Sequence, residues 1–229
     1  MKQRINSGVF GALAVAILVA STAMPAFSIE DASSRRARVE REAQGLPNLA
    51  LEALNKQDAD TAIELYTKAL KSGAFRSQPD MLGQIYLGRA MAYRLKKDCA
   101  AAVADFDKAA EYVKKGDVFY GRAACRIDMG QEDLALADLG LAIEADPEAP
   151  SYRKVRCVML FNRKDFANAL PDCEKALVSA PNDKTLLLAA SQAAEQTGNR
   201  PRAAELYRNL QKADPGNTVA TEGLKRVGG

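Results

Sequence analysis

The chain has 229 residues, a formal net charge of +3 and no histidine or tryptophan. Without histidine it lacks the commonest general base and the commonest metal ligand, so we expect neither an enzyme nor a metal protein. The near balance of 32 basic and 29 acidic residues argues against a nucleic-acid partner, since such proteins usually carry a clustered basic face. No glycine-rich phosphate loop is present. The sequence therefore predicts no cofactor and no small-molecule substrate.

Residues 1–28 have the pattern of a secretory signal peptide. A positively charged start, MKQR, precedes an apolar run over residues 9–20, and small residues follow. Cleavage after Ala23, Ala26 or Ser28 fits this pattern, and Ser28 is preferred. Because the apolar run is shorter than the roughly 20 residues of a membrane-spanning helix, we expect export rather than a membrane span. An uncleaved signal would instead anchor the protein in the membrane.

A polar segment, residues 29–45, follows the signal. It is rich in serine, arginine and glutamate. Two interpretations stay open. It forms a short helix with a serine cap that covers the first apolar face of the domain, or it is a solvated linker.

Residues 119–147 contain two helical patterns joined at Gly130. Glycine reaches the backbone conformations of a tight turn, and Pro147 ends the second helix because proline cannot continue the hydrogen-bond ladder. One such hairpin cannot bury both of its apolar stripes. It needs copies of itself on either side.

Copies of this pattern occur along the chain. A small residue of the second helix recurs at spacings of 40, 33, 34 and 34 residues, at Ala62, Ala102, Ala135, Ala169 and Ala203. A larger residue follows four positions later, at Tyr66, Phe106, Leu139, Cys173 and Tyr207. A second small residue usually follows three positions after that, at Ala69, Ala109, Ala142 and Ala176, with Leu210 in the last copy. Three copies end in proline, at Pro147, Pro181 and Pro215.

This period and pattern resemble the tetratricopeptide repeat, in an exported bacterial protein. The resemblance implies an all-α, right-handed superhelical solenoid of about five helical hairpins with a C-terminal capping helix. The repeat domain is expected over residues 46–229. Its repeats are placed at about 46–76, 84–115, 116–149, 150–183 and 184–217, and its cap at 218–229. Residues 71–83, which contain Pro79 and Gly83, are expected to be a loop with at most one helical turn. Together with the signal, the resemblance points to the periplasm.

Three arginines each precede an aspartate by 16 residues, in the pairs Arg89 and Asp105, Arg122 and Asp138, and Arg156 and Asp172. In an antiparallel hairpin these positions face each other, so the spacing predicts a salt bridge within each of three repeats. The alternative interpretation is a row of arginines that binds a carboxylate ligand.

The cysteines suggest covalent links between helices. Cys157 and Cys173 are also 16 residues apart, so they face each other in one hairpin and are expected to form a disulfide in an oxidising compartment. A second bond between Cys99 and Cys125 is also considered, since the helix ends that carry them are neighbours in a stacked array. The alternative is that the cysteines are small buried core residues.

The resemblance also implies a concave groove lined by the first helix of each repeat. Its expected partner-binding residues are Leu87, Met91, Arg94, Tyr120, Ile127, Lys154, Val158 and Phe161. Tyr120 and Phe161 are the expected energetic hot spots, and the row is expected to be continuous. The N-terminal segment or tight curvature is the alternative, since either would cover the row. Only Lys154 matches the pattern of family members that clamp a carboxylate.

The sequence therefore predicts a non-catalytic periplasmic scaffold that holds a peptide or helix of another protein in this groove. The alternative is an assembly chaperone or a noncatalytic subunit of a cell-envelope complex, anchored if the signal is uncleaved. Contact with the membrane is expected only in that anchored form.

Overall fold

The computed structural model describes residues 31–228, so the predicted signal peptide lies outside the described residues. Within residues 31–228 all regular secondary structure is helical. The helices are α1 (Ala32–Ala43), α2 (Leu46–Asn55), α3 (Ala59–Ser72), α4 (Pro79–Leu95), α5 (Cys99–Tyr112), α6 (Gly116–Asp128), α7 (Glu132–Ala145), α8 (Pro150–Asn162), α9 (Phe166–Ser179), α10 (Lys184–Gln196), α11 (Arg200–Ala213) and α12 (Thr218–Val227).

Helices α2 to α11 pair in chain order into hairpins, α2 with α3 through to α10 with α11. The hairpins stack on one another, and α12 closes the C-terminal end by packing on α11. The first helices of successive hairpins also contact one another: α2 contacts α4, and α8 contacts α10. These even-numbered helices therefore form the inner side of an all-α solenoid, as the sequence predicts.

The turn inside each hairpin has the same construction. One residue takes the left-handed conformation, at Gln57, Lys97, Gly130, Lys164 and Gly198. In four of the hairpins the next residue caps the second helix, at Asp58, Asp98, Asp165 and Asn199, by accepting a hydrogen bond from the third backbone N–H beyond it. The turn at Gly130 is thus one of five similar turns, and lysine or glutamine takes the left-handed conformation in three of them.

The second hairpin differs from its prediction. Helix α4 begins at Pro79, whereas residues 71–83 were expected to be a loop. Pro79 lies in the first turn of α4, where its missing N–H costs nothing. Gly83 does not break this helix. It is buried, and a Cβ there would lie 2.8 Å from Cγ1 of Val113, so glycine serves close packing of α4 on the end of α5.

Stacking of the hairpins depends on glycine at three interfaces. Rings on the second helix of one hairpin press against glycines on the following helix: Tyr66 on Gly88, Phe106 on Gly121 and Tyr207 on Gly223. At each glycine an added Cβ would come within 3.0 Å of the ring. The ring therefore occupies the space that a side chain would need.

At the two remaining interfaces the outer helix carries a smaller residue, and the following helix carries a side chain in place of glycine. At the equivalent positions Leu139 meets Val155 in one cluster, and Cys173 belongs to one cluster with Ala189. Thus the residue on the outer helix shrinks from an aromatic to leucine or cysteine wherever the next helix carries a side chain. A large residue on the outer helix thus meets glycine and a smaller one meets a side chain, which keeps the two helices in contact, as close packing of a protein interior requires.

The three ion pairs at a 16-residue spacing are present. Arg89 Nε lies 2.7 Å from Asp105 Oδ2, Arg122 Nη2 lies 2.5 Å from Asp138 Oδ1, and Arg156 Nε lies 2.5 Å from Asp172 Oδ2. All three carboxylates are buried. Because the aspartates already occupy these guanidinium groups, the arginines are structural and do not form a row for a carboxylate ligand.

Two of these arginines also join neighbouring hairpins. Arg89 Nη1 donates to Thr67 Oγ1 on α3 at 3.0 Å, and Arg122 Nη1 donates to Asp107 Oδ1 on α5 at 2.6 Å. Arg126, which the spacing did not predict, adds a second partner for Asp138 at 2.7 Å. The networks of Arg89 and Arg122 therefore fix a hairpin internally and tie it to the previous one, whereas the Arg156–Asp172 pair lies within one hairpin.

The polar segment forms helix α1 and packs on α3 and α2 at the N-terminal end of the solenoid. Its cap is Asp31, which accepts a hydrogen bond from the N–H of Ser34 at 2.8 Å, rather than a serine. Only Ala43 of this helix is buried. The segment is thus a helix that packs on the first hairpin. Most of its charged residues face solvent, which explains why the segment is so polar.

Cys157 on α8 and Cys173 on α9 are bonded in the structure, with their Cα atoms 5.2 Å apart. Cys99 and Cys125 are free thiols, so the second bond is not formed. Cys99 Sγ lies 3.8 Å from Asp128 Oδ2. Burial raises the pKa of Cys125 to about 12, and a hydrogen bond with Cys99 adds to the rise. A thiol that stays protonated is a poor nucleophile for disulfide formation.

The complementary sizes of the facing residues predict how the interface between α5 and α6 responds when those residues are replaced. Gly121→Val alone should cost about 1–3 kcal/mol of unfolding free energy, because its side chain would collide with Phe106. Adding Phe106→Leu recreates the pair that Leu139 and Val155 form. The double variant should therefore be more stable than the sum of the two single effects, by about 0.5–3 kcal/mol, in urea denaturation.

Gly140→Ala is the matched control for the exchange. Gly140 lies inside α7, and the nearest atom to an added Cβ is Arg156 Nη1 at 3.8 Å. This variant should be neutral or gain up to about 1 kcal/mol from helix propensity. Additive effects of Gly121→Val and Phe106→Leu would show that a smaller residue on α5 does not accommodate a side chain on α6.

The disulfide predicts a particular alkylation pattern. Protein isolated from the cell, denatured without reductant, should be alkylated at Cys99 and Cys125 and protected at Cys157 and Cys173, as read by peptide mass spectrometry. Reduction should lower the unfolding free energy by about 3 kcal/mol, since the bond closes a loop of about 15 residues. Alkylation of all four cysteines before reduction would show that the bond does not form in the cell.

Candidate functional site

A cavity on the inner side of the solenoid lies between α2 and α4. Its volume is about 840 Å³, within the range of about 300–1,000 Å³ that is typical of ligand sites. Its lining runs along α4 from Met81 to Leu95 and then to Lys97. Fourteen residues of helix rise about 21 Å, so the cavity is an elongated groove rather than a round pocket. We call it the α2–α4 groove.

Apolar side chains line both walls of the α2–α4 groove and remain open to solvent. Leu51 on α2 is 49% exposed, and on α4 Met91 is 43%, Leu95 is 39% and Met81 is 36% exposed. Leu54 and Leu87, which are partly buried, complete the lining. Leu87, Met91 and Leu95 follow one another at four-residue spacing, which places them in one row along α4. A continuous apolar row of this kind is typical of an interaction surface.

The floor of the groove is part of the core. Tyr66, Ile85 and Gly88 line it and are buried. The Tyr66 ring lies against Gly88, and its burial raises the pKa of the phenol. The interface that stacks the first two hairpins thus also forms the base of the groove, which gives the groove a rigid floor.

Cations lie at both ends of the groove. Lys115 lies near the start of α4, whereas Arg94 and Lys97 lie near its end. Among the described residues none of these three side chains has an ion-pair partner, in contrast to neighbouring Lys96, which pairs with Asp60. Asp128 is the one acidic residue in the lining. The rim therefore carries an excess of positive charge.

The residues predicted for partner binding divide among three places. Leu87, Met91 and Arg94 line the α2–α4 groove. Phe161 lines a second, smaller cavity of about 250 Å³ beside Phe166 and Glu195. The remaining four, Tyr120, Ile127, Lys154 and Val158, line neither cavity. The two cavities therefore contain four of the eight residues predicted for partner binding.

Tyr120 and Phe161, the two expected hot spots, take part in packing within the fold. The Tyr120 ring lies 5.1 Å from that of Tyr152 and packs against two core clusters. Phe161 packs edge to face on Phe166 at 5.7 Å and against the C-terminal core cluster. Both rings support the fold, so substituting them would disturb packing as well as any ligand contact.

Lys154 was expected to face a ligand and instead has a partner within the chain. Its Nζ forms an ion pair with Asp183 of the following turn. Burial alone would raise the pKa of Asp183, but hydrogen bonds from Lys154 and from the N–H groups of Leu186 and Thr185 lower it. Lys154 thus holds the start of α10 in place.

Some groove residues were absent from the predicted partner-binding set. Met81 belongs to the part of α4 that was expected to be a loop, and Gln84 is the first residue of the repeat predicted at 84–115. Leu51 and Leu54 lie at the positions of the first repeat that correspond to the predicted groove. The N-terminal helix does not cover the groove, because α1 packs on α3 and contributes no lining residue.

Among residues 31–228, no group of three or more cysteine, aspartate or glutamate side chains gathers in a way that could hold a metal ion. In the same range no helix is both long and apolar enough to cross a membrane.

Known proteins share this architecture. A family model described as tetratricopeptide repeat matches residues 48–115, which include the helices of the α2–α4 groove. A comparison with curated proteins gave no significant match.

Solved structures extend the likeness to most of the chain. The YrrB protein has a TM-score of 0.66 at 22% identity, covering 86% of this chain and 99% of its own. A MamA protein, AMB-1, has a TM-score of 0.65 at 18% identity, covering 80% and 97%. A tetratricopeptide repeat protein from Parabacteroides merdae has a TM-score of 0.60 at 17% identity, covering 83% and 72%. With the match over residues 48–115 and the stacked hairpins, these likenesses show that the chain has the solenoid fold of tetratricopeptide-repeat proteins.

Proposed function

We propose that this protein is a non-catalytic scaffold that holds a peptide or helix of another protein in the α2–α4 groove. The observation that carries the proposal is the exposure of Leu51, Met81, Met91 and Leu95 around one cavity on the inner side of the solenoid. A fold that implies protein–protein interaction supports it. So does the similarity to YrrB, described as a tetratricopeptide repeat protein with an unusual peptide-binding site.

The size of the exposed apolar surface favours an exchangeable partner. Full burial of a leucine or methionine side chain is worth about 1.5–3 kcal/mol, so four side chains that are already half buried offer on the order of 5 kcal/mol. A micromolar complex needs about 8 kcal/mol after the costs of association. Rim contacts must supply the rest, and a partner that binds and leaves fits this balance better than a permanent subunit.

We further propose that the scaffold works in the periplasm. Residues 1–28 carry the charge and apolar pattern of a signal peptide, and the Cys157–Cys173 bond suits an oxidising compartment. The absence of histidine from the whole chain supports a role without catalysis.

Site-specific crosslinking in intact cells tests the groove. A photoreactive residue in place of Met91 should give a discrete protein adduct, and Leu51→Glu on the opposite wall should remove it by placing a charge in the apolar contact. Val178 on the outer helix α9 is 77% exposed and is the control position. An adduct of equal yield at Val178, or one at Met91 that survives Leu51→Glu, would exclude the groove as the binding site.

Intact mass tests the compartment. Protein recovered from the periplasmic fraction should lack residues 1–28, which corresponds to cleavage after Ser28. Full-length protein in the membrane fraction would instead support the anchored form.

A further inference from the structure

The charges at the ends of the α2–α4 groove indicate which kind of partner it takes. We infer that the occupant is an amphipathic helix of about four turns, with one apolar stripe and with acidic residues at both of its ends. This inference rests on the proposed function, because it names the partner of the same groove.

The shape of the groove favours a helix over other peptide forms. Its walls are two helices, and the described residues include no strand whose edge could pair with an extended peptide. Polyproline segments dock on grooves lined by aromatic rings, whereas here Tyr66 is the one aromatic lining residue and it is buried in the floor. The apolar row of α4 over about 21 Å matches one face of a helix of about 14 residues.

The charge distribution favours acidic ends. Lys115, just before α6, lies at one end of the groove, and Arg94 and Lys97 lie at the other end, near the end of α4. All three are exposed and have no ion-pair partner among residues 31–228, so their charges remain available to a ligand. Apart from Asp128, the rest of the lining is uncharged. A helix with acids at both ends would meet a cation at each.

Two synthetic peptides provide the test. Both are fluorescently labelled helices of about 14 residues with leucines at three- and four-residue spacing. One carries glutamates at both ends and the other carries lysines. Fluorescence anisotropy with the purified protein should show that the glutamate peptide binds about tenfold tighter at low salt, and the preference should shrink as salt screens the rim charges.

Charge reversal locates the effect. Arg94→Glu with Lys115→Glu should remove or invert the preference between the peptides, while circular dichroism and melting temperature stay unchanged, since both residues are exposed. Lys175→Glu with Arg208→Glu makes the same change of charge at exposed sites on α9 and α11 and should leave the preference intact. Met91→Glu should weaken both peptides.

Several results would overturn the inference. Equal binding of the two peptides, or equal loss of preference in the control variant, would show that the rim charges do not select the partner. If neither peptide binds while the Met91 crosslink in cells persists, the groove is a binding site for a partner of other chemistry. Crosslinks from residues 1–30 into the groove, or a concentration-dependent dimer in light scattering, would make the chain itself the occupant.

Discussion

Stacking of the hairpins depends on complementary side-chain sizes on the outer helix of one hairpin and on the helix that follows it. Rings meet glycine at three interfaces, leucine meets valine at a fourth, and cysteine lies with alanine at the fifth. Because a helix can approach only as closely as the side chains between the two allow, this match fixes the spacing of the array. It also decides which faces of the inner helices are used for packing and which remain open.

Ion pairs between helices complete this arrangement. They divide the basic side chains into those paired within the fold and those left unpaired at the groove. The guanidinium groups of Arg89, Arg122 and Arg156 lie between helices and are occupied by buried aspartates. Such pairs are costly to desolvate. The further hydrogen bonds of Arg89 to Thr67 and of Arg122 to Asp107 link neighbouring hairpins. Arg94 and Lys115 lie outside these networks, at the ends of the α2–α4 groove. The groove thus combines a rigid floor with an unpaired rim.

The repeat pattern was sufficient to predict the helical hairpins, the facing arginine and aspartate positions and the general side of the solenoid where a groove lies. The prediction failed at residues whose type is compatible with more than one structural role. Pro79 and Gly83 were taken to mark a loop, but proline suits a first helical turn and Gly83 serves close packing. Tyr120 lies at an inner position in the repeat, yet its ring packs on Tyr152. Such contacts depend on the rotation between hairpins, which the sequence period does not specify.

Hydrogen exchange measured on the protein alone and with its crosslink-identified partner tests the central claim, that the open face of α2 and α4 is the binding surface. Amides of α2 and α4 should exchange more slowly in the complex, because a bound helix would suppress opening of the first two hairpins. Amides of the outer helices α9 and α11 should be unaffected. Protection confined to α8 to α11, with none in α2 and α4, would contradict the claim.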